Sequence, residues 1–146
     1  MVSTDMDTTT QTPDERTLLR AAGLRVTRPR VAVLTALHEH PHADAATVLA
    51  AVRRELPAVS HQAVYDSLHT LTDVGLVRSI QPAGSTARYE IRRDDNHHHL
   101  VCRECGRTVE VDGPAVERWA AAMSSEHGFT DVTHTVEIFG RCADCS

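Results

Sequence analysis

Two Cys-x-x-Cys pairs, Cys102/Cys105 and Cys142/Cys145, contain every cysteine of this 146-residue chain, and the 36 residues from Gly106 to Arg141 separate them. Each pair sets two sulfurs on one tight turn, and four thiolates at about 2.3 Å from a Zn²⁺ make a closed tetrahedral site. A fold that uses both pairs must therefore bring two distant turns together. Two disulfides or a redox pair are the competing uses. A redox motif would have one Cys-x-x-Cys opening a helix in a βαβ setting, and neither pair has that context. The expectation is a structural zinc, one per chain, held by all four.

The half around these cysteines spans about 50 residues, too few to bury a self-sufficient core without a metal or a second subunit. Aromatic residues make up 3% of the chain, so any core must be Val, Leu and Ala. No apolar run approaches a membrane span. The opening residues, MVSTDMDTTTQTPDE, are polar and acidic and do not read as a signal peptide. A cytoplasmic location without membrane attachment is expected, where free thiols favour metal over disulfide.

Upstream, residues 1–12 read as a disordered tail. Four helical signals follow. Pro13 opens the first, over Asp14 to Ala22, closed by Gly23. Thr27 caps a second, with Val31, Leu34 and Leu37 on one face. Asp44 caps a third, which buries Val48, Leu49 and Val52 and stops at Pro57. Ser60 caps a fourth, with Val64, Leu68 and Leu71 at helical spacing before Gly75. The period then changes to two: residues 76–80 and 87–91 flank a turn containing Pro82–Ser85, which predicts a hairpin. Helices followed by a hairpin is the order of a winged helix-turn-helix over residues 13–91. Residues 92–96 form a polar hinge. Beyond it, strands are expected at residues 100–102, 108–111 and 132–139, with a helix from Pro114 to Glu126. The fold class is thus α+β.

Net charge is −5, but its distribution matters more. Residues 17–84 carry seven Arg and five acids, a net +2, whereas residues 85–146 carry seven Arg and eleven acids, a net −4. The helical section is the part suited to a polyanion, and only mildly so. With Val64, Leu68 and Leu71 inward, the face after Ser60 presents His61, Gln62, Tyr65, Asp66 and His69. This set fits base-edge contact in a major groove, and equally a solvated helix face.

Beside the first cysteine pair runs His97-His98-His99. On a strand, period two turns His97 and His99 to one face and His98 to the other, so one triplet can serve two sites. Glu90, Glu110 and His42 are candidate partners for His97 and His99. Imidazoles with carboxylates suit Fe²⁺, Mn²⁺, Co²⁺ or Zn²⁺. On the opposite face, His98, Glu117 and His134 make a further candidate site, although Glu117 and His134 taken singly read equally as surface residues.

Several stretches together resemble the ferric uptake regulator (Fur) family. They are Gly23-Leu24-Arg25-Val26-Thr27-Arg28-Pro29-Arg30, Val59 to Val77 around Val64-Tyr65, the run His97 to Cys102, Cys105-Gly106, and Ile138-Phe139-Gly140-Arg141-Cys142. The resemblance covers nearly everything after residue 16. It implies a homodimeric, metal-dependent transcription repressor that binds double-stranded operator DNA. An N-terminal winged helix would join a C-terminal α/β dimerisation domain over residues 97–146. It further implies structural zinc on the four cysteines and a regulatory Fe²⁺ or Mn²⁺ on His42, Glu90, His97, His99 and Glu110. An auxiliary metal would lie on His98, Glu117 and His134, with Asn96 at the fourth position. Tyr65 matches a DNA-contacting tyrosine, and Arg25 and Arg30 fall where the family touches phosphate and minor groove. Ser60, His61 and Gln62 complete the expected DNA face.

The common Thr-Val-Tyr-Arg of the recognition helix reads Ala63-Val64-Tyr65-Asp66 here, which implies a different operator preference. Gln62 to Asp66, with Arg88-Tyr89-Glu90, resembles the actinobacterial branch that controls catalase-peroxidase genes. Peroxide-sensing members usually carry Asp where this chain has Glu110, which leans towards iron. Iron and peroxide both stand as signals at this point. A zinc-dependent hydrolase, with His97, His99 and a carboxylate holding an open metal, is the rival from another class. A zinc ribbon that does not bind DNA is a third; the four helices and wing upstream make it unnecessary.

Overall fold

A computed structural model describes residues 14–81, 86–92 and 97–146. Four helices lead: α1 (Glu15–Ala21), α2 (Arg28–Glu39), α3 (Ala45–Glu55) and α4 (His61–Asp73). Each begins where a side-chain oxygen meets an orphan backbone N–H. Asp14 accepts from Thr17 at 2.8 Å, Thr27 from Arg30 at 3.4 Å, Asp44 from Thr47 at 2.8 Å and Ser60 from Ala63 at 3.0 Å. Asp14 is thus the cap of α1 rather than its first residue. Helix α4 ends ahead of Gly75, whose φ of +80° suits a residue without Cβ.

The helices close on one apolar core. Leu19 of α1, Val33, Leu34 and Leu37 of α2, Val48 and Val52 of α3, and Val64, Leu68 and Leu71 of α4 are all buried within it. Leu49 lies at its margin, only partly buried. A three-stranded sheet leans against this core: β2 (Val77–Ile80) pairs with β3 (Arg88–Ile91), and β3 pairs with β1 (Ala43–Asp44), all antiparallel. The hairpin is as expected, although its turn at Pro82–Ser85 lies outside the described residues. Strand β1 has only two residues and leaves no period to read, yet it sets the chain after His42 alongside Tyr89.

The second half is built on β4 (His98–Cys102), flanked by β5 (Thr108–Val111) antiparallel and β6 (Glu137–Gly140) parallel. Helix α5 (Pro114–His127) makes the crossover between β5 and β6, and a 3₁₀ turn (Ala143–Cys145) closes the chain. The expected strand over 132–139 is corrected here: β6 begins only at Glu137. Parallel pairing starts at His99 opposite Glu137, so the residues before Glu137 have almost no β4 left to pair with. Asp131 adopts a left-handed φ of 54°, which breaks an extended run. Arg78 of β2 reaches Glu137 of β6 at 3.3 Å and links the two sheets. The expected tail lies outside the described residues, as do residues 93–96 of the expected hinge.

Candidate metal centres

The parallel register sets Cys102 opposite Gly140, so the turn after β4 and the turn after β6 meet. All four cysteines are thiols, and their sulfurs lie within 4.8 Å of one another. Cys105 Sγ and Cys142 Sγ are 3.7 Å apart. A tetrahedron with 2.3 Å arms has edges of about 3.8 Å, so the spacing fits Zn²⁺. Backbone N–H groups of Cys105 and Cys142 aimed at the Cys102 sulfur lower its thiol to about 6. The Cys142 N–H donates to it at 3.3 Å. A thiolate, the form that binds metal, is thereby prepared at one corner. The Cys145 thiol, hydrogen-bonded first to Cys142, is instead pushed up to about 12. A cation held by all four sulfurs would displace the thiol protons.

The second cluster joins the two halves. His42 sits in the turn ahead of β1, Glu90 on β3, His99 on β4, and Glu110 on β5 directly opposite His99. One donor atom from each lies within 4.8 Å of the others. Nε2 of His42 and Nε2 of His99 both donate to Glu90 Oε2, each at 2.9 Å. Glu110 Oε1 is 3.5 Å from His42 Nε2. The two rings stand edge to face, their centroids 5.2 Å apart. His97 is outside this group of four; it approaches the other oxygen of Glu90 at 3.4 Å, its ring edge-on to His99. Burial pushes the Glu90 carboxyl up, but the hydrogen bonds from His42 and His99 outweigh it and hold it well below the usual carboxylate range. An anion is thus fixed at the middle of three imidazoles, a donor set suited to a borderline divalent cation.

Strand alternation turns His98 away from this cluster. Its Nε2 meets Glu117 Oε1 at 2.6 Å, and His134 Nε2 meets Glu117 Oε2 at 2.8 Å. The hydrogen bond from His134, then that from His98, keeps the Glu117 carboxyl below its ordinary value. These three donors also lie within 4.8 Å of one another. Asn96, the expected fourth position, is outside the described residues.

On α4, Tyr65 is exposed and stacks on His61 with ring centroids 4.4 Å apart. Gln62 Nε2 donates to Asp66 Oδ1 at 2.8 Å. Both are one-turn pairs that fix the outward side chains. Arg30 of α2 folds back to donate to the Arg25 carbonyl at 2.8 Å, which ties the start of the helix to the segment before it. Arg88 figures in the sequence only within the string Arg88-Tyr89-Glu90, with no role assigned to its side chain. It stands two positions before Glu90, and strand alternation was the signal that could have placed it on Glu90's side.

A sequence model of the Ferric uptake regulator family matches residues 21–139. The "Transcriptional regulator FurA" of Mycobacterium tuberculosis is 56% identical over 134 residues, which cover 92% of this chain and 91% of that protein. "Ferric uptake regulation protein 2" of Mycolicibacterium fortuitum is 52% identical over 138 residues, covering 92% and 94%. Among solved structures, the ferric uptake regulator of Pseudomonas aeruginosa with manganese superposes with a TM-score of 0.77 at 30% identity, covering 88% of this chain and 98% of that one.

Proposed function

The chain belongs to the ferric uptake regulator family, and from that premise we propose a switch in which a regulatory cation locks an operator-binding dimer. It is a metal-responsive transcriptional regulator, and the hydrolase alternative falls with that assignment. We read residues 13–91 as the DNA-binding winged helix, 92–96 as the hinge and 97–146 as the metal-binding dimerisation unit. The observation that carries the switch is the shared carboxylate of Glu90. It is bonded at 2.9 Å both by His42, from the helical half, and by His99, from the second sheet. A divalent cation there would supply the positive charge that draws donors of both halves onto one point. His42, Glu90, His99 and Glu110 would hold it, with His97 joining through Glu90's side of the cluster. The four cysteines would hold a permanent zinc, and His98, Glu117 and His134 a further ion.

A population shift follows. With the cluster closed, α4 of each subunit is held at the separation of successive major grooves. Ser60, His61, Gln62 and Tyr65 face the bases, and Arg25 and Arg30 lie beside them for phosphate and minor groove. With the cluster open, the halves move independently and the operator is released. Among the described residues no helix is long and apolar enough to cross a membrane. A cytoplasmic location accords with an operator as partner.

The second copy has a surface ready for it. Leu100 lies between Val109 on β5 and Ile138 on β6, and all three are exposed. Trp119 of α5 is 65% exposed, and no residue of that helix is buried within its own chain. A sheet face and helix of this kind call for a second subunit. Leu100→Asp should therefore convert the dimer to a monomer, read by light scattering after size exclusion.

Metal-titrated binding to a labelled operator tests the switch. Fe²⁺ or Mn²⁺ should each raise affinity, and no response to either would sink it. Repeating the titration after peroxide separates the two signals. Irreversible loss with Fe²⁺ but not Mn²⁺ marks oxidation of an imidazole at the site, His42 or His97. Equal survival with both marks an iron sensor.

A further inference from the structure

One side chain outside both ligand sets touches both centres. Strand β3 places Arg88 two residues before Glu90, and its guanidinium forks. Nη1 donates to the His42 carbonyl at 3.2 Å and Nη2 to the Cys105 carbonyl at 3.3 Å. The planar, rigid fork is what lets one residue hold two carbonyls at a set separation. The approach to the cysteine turn is close: a Cβ on Gly106 would collide with the Arg88 guanidinium. Gly106 also has a φ of +75°, so glycine is required there by backbone and by space alike. At the other end, His42 adopts a left-handed φ of 65°, unusual for a residue with a side chain. The bond from Arg88 lands on the carbonyl of that same strained residue.

We propose that Arg88 is a positioning residue for the regulatory centre: it pins the His42 backbone to the Cys105–Gly106 turn, so that the cysteine knuckle presets the ligand supplied by the winged-helix half. This rests on His42, Glu90, His99 and Glu110 forming the regulatory centre. It makes the two metal sites mechanically continuous. A preset ligand lowers the ordering cost that binding a cation must meet, and loss of a supporting partner around a metal ligand typically weakens metal affinity by about 10- to 100-fold.

The test uses the zinc-loaded, full-length dimer. Mn²⁺ titration by calorimetry should show Arg88→Ala binding at least about tenfold more weakly than the parent, with zinc content and dimer unchanged. Exchange of the His42, Ala43 and Asp44 amides, measured before Mn²⁺ is added, should quicken. Unchanged affinity, or unchanged exchange in that segment, would overturn the proposal. Arg88→Lys keeps the charge beside Asp44 but has no fork, and should be weakened as well. Recovery in Arg88→Lys would assign the effect to charge and overturn the clasp. Where truncation to alanine disturbs folding, Arg88→Gln, which keeps a polar side chain but is too short and too unforked to reach both carbonyls, gives the same readout. His99→Ala runs alongside. If it leaves Mn²⁺ affinity untouched, the identity of the regulatory centre fails; if it weakens binding while Arg88→Ala does not, the Arg88 inference falls alone.

Discussion

His42→Ala should abolish metal-dependent operator binding while leaving the zinc and the dimer in place. Anisotropy of a labelled operator, with and without Mn²⁺, should lose a metal response of roughly 100-fold, the upper part of the usual range for coupling between two sites. The size follows from where His42 stands. Of the four clustered donors, it comes from the turn between α2 and β1, and it contacts both Glu90 and Glu110. Without its imidazole, Glu90 keeps its 2.9 Å bond to His99, so the remaining cluster belongs to the strands. A cation bound there would no longer grip the end of α2, next to the helices proposed to carry the DNA face. The four cysteines take no part in this cluster. Zinc analysis and light scattering should match the parent. An unaltered metal response in the variant would remove His42 from the switch.

Stripping the proposed structural zinc should have the largest effect on the fold. The described residues of the second half bury only two hydrophobic side chains, Val101 and Cys102. Such a core cannot offset the backbone entropy of about 1–2 kcal/mol per ordered residue. Apparent zinc binding in small thiolate domains contributes on the order of 10–16 kcal/mol near neutral pH. Removing the ion, or replacing Cys102 with Ser, should therefore melt the second sheet and dissociate the dimer together. The helical half has its own core of Leu19, Val33, Leu34, Leu37, Val48, Val52, Val64, Leu68 and Leu71, and should stay folded. A partial loss of circular dichroism on chelation, the dimer vanishing with it, followed by a separate melting of the helical half on heating, would be the expected signature. A dimer that survives complete zinc removal would show that intersubunit packing suffices.

The helices and their starts were legible because capping is local: Thr27, Asp44 and Ser60 each reach the N–H three residues on. Strand alternation made the division of labour in the histidine triplet legible too, since His99 and His98 do face different carboxylates. What escaped notice depends on partners distant in the chain. The limits of β6 are set by how much of β4 is free to pair, and β1 exists only because β3 lies beside it. Within the proposed regulatory cluster, period two and the family resemblance both group His97 with His99. It lies ahead of β4 proper and reaches Glu90 by the other oxygen. The role of Arg88 is not legible in the sequence because its partners are backbone carbonyls, which no side-chain motif records.

The placement of His98 and His99 on opposite faces of β4 has an evolutionary consequence. Adding or deleting one residue ahead of Cys102 would turn each imidazole to the other side, since a one-residue slip inverts a strand's faces. One length change would thus scramble both clusters at once, whereas a substitution alters them one at a time. Strand β4 is held besides on both edges, by β5 and by β6. Descendants of this sequence are therefore free to retune their metal preference by exchanging ligands, but not by insertion or deletion in this strand. Indels should collect in the connecting loops, and the count of residues from His97 to Cys102 should be the last thing to drift.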